Sequence, residues 1–487
     1  MLTEESKNRF KRIFAPERVA IVGVAAEGFG FGRGILLSLL SIGFSGELFP
    51  VNRRGGEICG LKIHKSIDDI PGDIDFAIIA VPADSVPEAL ESCMKKGAAG
   101  AEILSSGFGE TGTSEGMELD KRIRDIAGRG IRVLGPNCFG IYSPRSGLTL
   151  LPGPDLSRRP GGVSFISQSG GHSIDFSHVG KWKGIGFSKV VSFGNGADLR
   201  ETELLEYFTE DPETEVIGMY IEGVDDGREF LRVLRNAASV KPVIVLKGGL
   251  SEAGGRAAAS HTASMGGARA IWEAALNQCN AVRAMDMREL SDAALAFSML
   301  PRKSFNGISI IGGGGALGVA AADFAEEFGF SIPGLGADIQ ARILKHLPGP
   351  GSSPANPVDI ANPYVPPDAL REILVCAGGD DRIDLQVVVQ LLYHYRALSV
   401  MLGSGSVREI TPTRGLAEAC ADAMKATGKP VLLVLPNYKR EPEAMEIEEV
   451  IRDTRRLFLE KGIPVFDDLR DAMKAAGAVS RYYCRRK

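Results

Sequence analysis

Paired cysteines are missing from this sequence. Its seven cysteines (Cys59, Cys93, Cys138, Cys279, Cys376, Cys420 and Cys484) are odd in number, widely spaced and form no CxxC. That pattern excludes a disulfide framework and the usual zinc ligand spacing, and it predicts a reducing, cytoplasmic compartment. Long apolar runs are missing too: none approaches the roughly 18 residues of a membrane span. The amino-terminal string MLTEESKNRFKRIF holds no apolar core, so no signal peptide is expected. A basic surplus is also absent. Lys and Arg number 56 against 61 Asp and Glu, a net charge of −5, which argues against nucleic acid as a partner. No GxxxxGK[ST] loop and no HExxH string occur. Histidine is scarce, with six in the chain. His172 and His178 stand six apart, on different faces of a helix and without a carboxylate cluster, so no metal site is expected.

What is abundant is glycine, 60 residues in 487, beside an aromatic fraction of 7%. That bias suits many tight strand-to-helix turns. Short β-branched apolar runs alternate with amphipathic helical patterns. Thus RVAIVGV, GELFPVN, DFAIIAVP, GAEILSS and IRVLGPN enclose helical strings such as SVPEALESCMKKG. This rhythm predicts βαβ units around parallel sheets covered on both faces. It restarts at GVSFISQSGG and again at GISIIGGGGALGVAAADFAEEFG, after the linkers around LLPGPDLSRRPGG and LPRKSFN. The chain is therefore expected to be α/β, with three domains at 1–148, 160–300 and 306–487.

Four glycine-rich turns follow predicted strands. In the first, VGVAAEGFGFGRG (Val22–Gly34), glycines let the backbone approach a phosphate at a helix N-terminus. At the end of the second strand, where a dinucleotide fold for NAD places an acid, stand Asn52, Arg53 and Arg54. Two arginines suit a phosphorylated ribose, which leaves NADP and coenzyme A open. The turns SFISQSGGHSIDF, with Ser167, Gln168, Ser169, Gly170 and Gly171, and IIGGGGALGVAAADF, with Gly313, Gly314 and Gly315, each offer a helix start to an anion.

The fourth turn, GGRAAASHTASMGGARA (Gly254–Ala270), carries His261 among small residues, after a strand ending in Gly248. An imidazole there can act as a nucleophile. Glu222, at the end of the strand in GMYIEGV, is placed to orient it.

These motifs, in order, resemble the α-type subunit of ADP-forming (NDP-forming) acyl-CoA synthetases, of the succinyl-CoA synthetase superfamily. VAIVG, ELFPVNRR, DFAIIAVPA, ILSSGFGETG and LGPNCFGI resemble its CoA-binding stretch. ISQSGG, SFGNGADL, YIEGV, SHTASMGG and NPVDI resemble the remainder. The resemblance implies a Rossmann-like CoA-binding domain followed by two flavodoxin-like domains. It implies that phosphate cleaves an acyl-CoA thioester to an acyl phosphate, and that His261 then takes the phosphoryl group with Glu222 stabilising it. Residues 167–171 and 312–318 would be the two helix starts that hold the phosphoryl group. Gly23, Val24, Asn52, Arg53, Val81, Pro82, Ser106, Gly107 and Asn137 fall in stretches that contact CoA in the family.

No ATP-grasp pattern is recognised in the chain. The resemblance therefore implies a separate ATP-grasp β subunit, in a heterotetramer, handling ADP or ATP with Mg2+. Ala263 stands where the family has glycine, and His172 where it has a small or apolar residue. A non-catalytic CoA- or acyl-CoA-binding protein and an NADP-dependent oxidoreductase are the alternatives. The first leaves His261, Glu222 and both turns without a purpose, and the second lacks a hydride-transfer set.

Overall fold

A computed structural model describes residues 2–150, 155–256 and 269–485. The chain divides into two compact units, Met1–Ala294 and Leu295–Lys487. The first unit holds two sheets. In the first sheet, β1 (Arg18–Val22), β2 (Glu47–Val51), β5 (Phe76–Ile79), β6 (Gly100–Ile103) and β7 (Arg132–Leu134) are all parallel, in the order β2-β1-β5-β6-β7. β3 (Gly56–Ile58) and β4 (Leu61–Ile63) form a small separate hairpin. The second sheet contains β8 (Gly140–Tyr142), β9 (Pro160–Ser167), β10 (Phe187–Ser192), β11 (Val216–Ile221), β12 (Val243–Lys247) and β13 (Val282–Ala284). Its order is β13-β12-β11-β9-β10-β8, with β8 antiparallel to β10 and the rest parallel. β8 precedes residue 148, so the first expected segment contributes a strand to the second sheet.

The second unit holds one parallel sheet: β14 (Ile308–Gly312), β15 (Val358–Asp359), β16 (Leu385–Val389), β17 (Val431–Val434) and β18 (Val465–Phe466), in the order β15-β14-β16-β17-β18. The five parallel strands of each sheet thus share one order, second-first-third-fourth-fifth. In that doubly wound order the connections leave the first and third strands toward opposite faces, and a crevice opens at their carboxyl ends.

The strands read as continuous apolar runs because both faces are covered. Val19, Ala20 and Ile21 of β1, all of β5, and Ile217 and Met219 of β11 are buried. Helices supply the cover from one apolar stripe each. The helix Val86–Lys95, expected from SVPEALESCMKKG, buries Val86, Leu90 and Cys93. The amino-terminal helix Glu4–Phe14 serves both sheets of its unit. Ile13 lies against Gly100 of β6, and Phe10 and Phe14 stack on Tyr207, which stands beside the second sheet. Arg132 of β7 ties the two sheets by charge. Its guanidinium donates to Asp198 at 2.9 and 3.0 Å and to Glu203 at 2.7 Å through two nitrogens. All seven cysteines are free thiols. Among the described residues no helix is long and apolar enough to cross a membrane, and no cluster of three metal-ligating side chains occurs.

Glu102 of β6 is fully enclosed. One carboxyl oxygen accepts from the Ile141 N–H at 3.0 Å and the other has no hydrogen-bond partner. Burial pushes its pKa well above the usual carboxylate range, against the pull of that N–H. The folded state therefore keeps a proton that the unfolded chain releases. Its contribution is full below the ordinary carboxylate pKa and is lost as pH rises through the folded value. Urea unfolding across pH 4 to 8 should show this slope in the wild type and a flatter profile in Glu102→Gln. An unchanged slope would show that Glu102 ionises normally.

Candidate functional site

The crevice of the first sheet forms where β1 and β5 part. Register sets Val22 beside Val51 and Ile79, so Gly23, Asn52 and Ala80 come level. Gly23 has φ +104, and a Cβ on it would lie 2.2 Å from the Ala80 carbonyl oxygen. Gly23 is thus required by the turn itself. A cavity of about 380 Å3 opens above it, lined by Gly23, Asn52, Arg53, Val81 and Pro82 among the expected residues. Arg54, paired with Arg53 in the sequence, also lines it, as do Lys65 and Ser66, which the sequence reading missed. Lys65 follows the β3–β4 hairpin, which HKS in the sequence does not announce. The result is a cationic mouth of Arg53, Arg54 and Lys65, with the exposed Arg53 leaning on Glu88 at 3.0 Å.

Val24, Ser106, Gly107 and Asn137 stand outside that lining. Instead, Gly107 N–H donates to Glu110 at 2.6 Å, and Asn137, at φ +55, donates to Asn195 at 3.3 Å. These loops at the ends of β6 and β7 face the second sheet of the same unit. One serine in this region sits in a GxSxG string, Gly112–Gly116, a motif the sequence reading wrongly took to be absent. It opens the helix Ser114–Ala127 after a Thr113 cap rather than after a strand, so it is not the strand-turn-helix elbow of a nucleophilic serine.

The second crevice lies between β9 and β11. Ser167 pairs with Tyr220, which sets Gln168 beside the strand end at Glu222. The Gln168 side-chain oxygen accepts from Glu222 N–H at 2.8 Å and Gly223 N–H at 3.4 Å. It pins the two diverging strand ends together, a bridging role that the sequence did not announce. Ser169 caps the helix Gly170–Lys183, its hydroxyl accepting from His172 N–H at 3.3 Å. Ser167 Oγ donates to the Ser169 carbonyl at 2.7 Å. Gly170 is needed because a Cβ would meet the Phe139 ring at 2.8 Å. The helix start presents the main-chain N–H groups of Gly170 and Gly171 and the positive end of the helix dipole, while the Ser169 N–H donates to Ser167 Oγ at 3.2 Å.

Glu222 is buried, and the Tyr220 hydroxyl donates to its Oε1 at 3.0 Å. Burial, then the Glu222 charge, pushes the Tyr220 pKa upward, so this phenol stays a donor. The His172 ring stacks on Tyr220 with centroids 4.1 Å apart, and its Nδ1 lies 3.3 Å from Ser169 Oγ. The departure at His172 thus puts an imidazole on the wall of this crevice. Lys247, at the end of β12, donates to the Glu222 carbonyl at 2.7 Å. His261 and Ala263 lie outside the described residues.

The third crevice belongs to the second unit. Gly314, at φ +112, precedes the helix Gly315–Glu327. Asp359 of β15 occupies this helix start: its Oδ1 accepts from Gly314 N–H at 3.0 Å and Ala361 N–H at 2.7 Å. Gly314, Gly315, Asp323, Ser353 and Asp359 line a cavity of about 360 Å3. A phosphoryl group at Gly313–Gly315 would meet a carboxylate, a feature the sequence reading left unweighed. A like charge there is disfavoured unless a cation or a proton stands between the two.

Gly23→Ala should cost about 3 kcal/mol or more, since positive φ and a backbone clash combine. Thermal unfolding checks it; a midpoint equal to wild type would mean the turn at Ala80 yields freely.

Comparison with known proteins gives these geometries a setting. A family model described as a CoA binding domain matches residues 17–144, and one described as a succinyl-CoA ligase like flavodoxin domain matches residues 160–297. The acetate–CoA ligase [ADP-forming] I subunit alpha of Pyrococcus furiosus is 40% identical over 353 residues, 72% of this chain and 76% of that protein. The acetate–CoA ligase [ADP-forming] II subunit alpha of the same organism is 34% identical over 96% of each. A solved structure of the dinucleotide forming acetyl-coenzyme A synthetase 1 of Ca. Korarchaeum cryptofilum, in complex with phosphate and ADP, aligns with TM-score 0.83 at 32% identity, covering 98% of this chain and 97% of that one. With a CoA-binding domain over the first crevice and a succinyl-CoA ligase like domain over the second, the chain belongs to the ADP-forming acetate–CoA ligase family of acid–thiol ligases.

Proposed function

We propose that the chain is the α-type subunit of a cytoplasmic ADP-forming acyl-CoA ligase that works through a phosphohistidine at His261. It interconverts acyl-CoA, ADP and phosphate with a carboxylic acid, CoA and ATP. The observation that carries this reading is the second crevice, where a buried glutamate and an open helix start stand on the two strands that diverge.

In the thioester-cleaving direction a phosphate oxygen attacks the acyl carbonyl carbon. The C–S bond breaks and CoA leaves as the thiol(ate). The helix start at Ser169–Gly171 offers N–H donors to the phosphate oxygens. His261 then attacks phosphorus, and the carboxylate leaves with its electron pair. Glu222, with one oxygen held by Tyr220, stabilises the positive charge that develops on the imidazole. Gln168 keeps Glu222 level with that helix start. ADP and Mg2+ belong to a separate ATP-grasp β subunit, in a heterotetramer, which takes the phosphoryl group from His261. Arg53, Arg54 and Lys65 hold the phosphates of CoA, with the chain of the ligand over Gly23.

The chain assembled with its ATP-grasp partner, given radiolabelled phosphate and acetyl-CoA, should take acid-labile, base-stable label. His261→Ala should take none, and Glu222→Gln roughly 100-fold less in the same time. Tight CoA binding without label in wild-type protein would make the chain a binder rather than a ligase subunit. In the first crevice, Arg53→Ala and Lys65→Ala should each weaken CoA roughly tenfold while leaving dephospho-CoA nearly unchanged. Equal losses for both ligands in a calorimetric titration would remove those residues from the ribose phosphate.

A further inference from the structure

Lys247 is a buried cation that the fold does not require. The fourth strands of the other two sheets end in buried apolar residues, Ile103 in β6 and Val434 in β17. Lys247 pairs with Ile221, so it lies on the sheet face opposite Tyr220 and Glu222. From there its ammonium grips main chain. Nζ donates to the Glu222 carbonyl at 2.7 Å and to the Gly248 carbonyl. The same Nζ lies 5.2 Å from the centroid of the Trp272 ring, on the helix Arg269–Gln278. Trp272 is buried in turn, beside Phe230. One side chain therefore joins the turn that presents Glu222, the strand end at Gly248 and the helix Arg269–Gln278, which lie before and after His261 in the chain. Gly248 makes room for this arrangement, since a Cβ there would lie 2.7 Å from the Tyr220 hydroxyl.

We infer that Lys247 is a positioning residue for phosphoryl transfer, clamping the main chain of Glu222 to both flanks of the segment that carries His261. The inference rests on the roles proposed for His261 and Glu222. Lys247 does not reach the reacting atoms from its face of the sheet; it acts by fixing where Glu222 stands. Misplacement of a catalytic group by about 1 Å costs up to roughly 100-fold in rate.

The clamp also senses pH. Burial lowers the Lys247 pKa to about 8, against the pull of Glu222. Among the described residues the charge acting on it is that of Glu222, from the other face of the sheet, and Trp272, which packs on it, does not titrate. As pH rises through about 8 the ammonium becomes an amine. It then loses its charge-assisted bonds and its attraction to the indole. Arginine keeps its charge throughout this range.

The test uses the full chain with its ATP-grasp partner, labelled phosphate and acetyl-CoA. Lys247→Met should slow phosphoenzyme formation roughly 10- to 100-fold while the KM for acetyl-CoA stays within about twofold. Lys247→Arg should restore most of the rate and remove the alkaline limb that the wild type shows near pH 8. A second readout is independent of turnover. The chain has two tryptophans, so in a Trp182→Phe background the emission of Trp272 should change with a midpoint near pH 8, and Lys247→Arg should abolish that transition. Labelling of Lys247→Met at the wild-type rate overturns the proposal. So does an alkaline limb that survives in Lys247→Arg, and that comparison decides the matter if the methionine variant fails to fold. Failure of the phosphohistidine reading looks different: wild-type protein takes no label although the emission transition is present.

Discussion

Everything in this chain hangs on one constraint of parallel sheets. A strand whose two neighbours are reached by crossovers on opposite faces must leave a gap above its carboxyl end. All three sheets adopt the order that creates this gap, and each sets a glycine-rich or serine-rich turn under it. The gap is free of side-chain filling because the next residues turn away in opposite directions. What varies is what the chain places on the rim. Over the first gap stand Arg53, Arg54 and Lys65. Over the second stand Ser169 and Glu222, and over the third Asp359.

The second gap shows how a buried carboxylate is made tolerable. Enclosing a charge is costly unless donors surround it. The Tyr220 hydroxyl supplies one donor, while Gln168 holds the glutamate main chain from one side and Lys247 from the other. The contrast with Glu102 is instructive. That carboxyl also ends up enclosed in the first unit, with one backbone N–H and no side-chain donor, and its pKa rises well above the ordinary range. Two glutamates near strand ends therefore sit in unlike surroundings, one with a side-chain donor and one with a main-chain N–H alone.

The strands and their parallel pairing were legible in the sequence because a strand covered on both faces must be apolar throughout, as FAII and VIVLK are. The strand-end positions of Gly23, Asn52 and Glu222 followed from the same rhythm, since the residue after such a run falls on the rim. Three things were illegible for physical reasons. β8 joins the sheet of the following segment, and an isolated three-residue strand carries no signal of its partner. Lys65 reaches the first crevice through the β3–β4 hairpin, a contact set by tertiary packing. Gln168 reads in sequence as a polar residue in an anion turn, and the pairing of Ser167 with Tyr220 also makes it a bridge between strands.

The two helix starts expected to hold a phosphoryl group are chemically unequal, and the inequality follows from what precedes each helix. At Ser169 the cap is a neutral hydroxyl, so the partial positive charge of the helix faces the crevice uncompensated by a carboxylate from the cap. At Gly314 the cap has no side chain, and Asp359 accepts that N–H from the neighbouring strand. A dianion is drawn to the first arrangement and repelled by the second. On the proposed reading, charge favours phosphate capture at the second sheet, and a phosphoryl group at Gly313–Gly315 needs a cation or a proton beside Asp359.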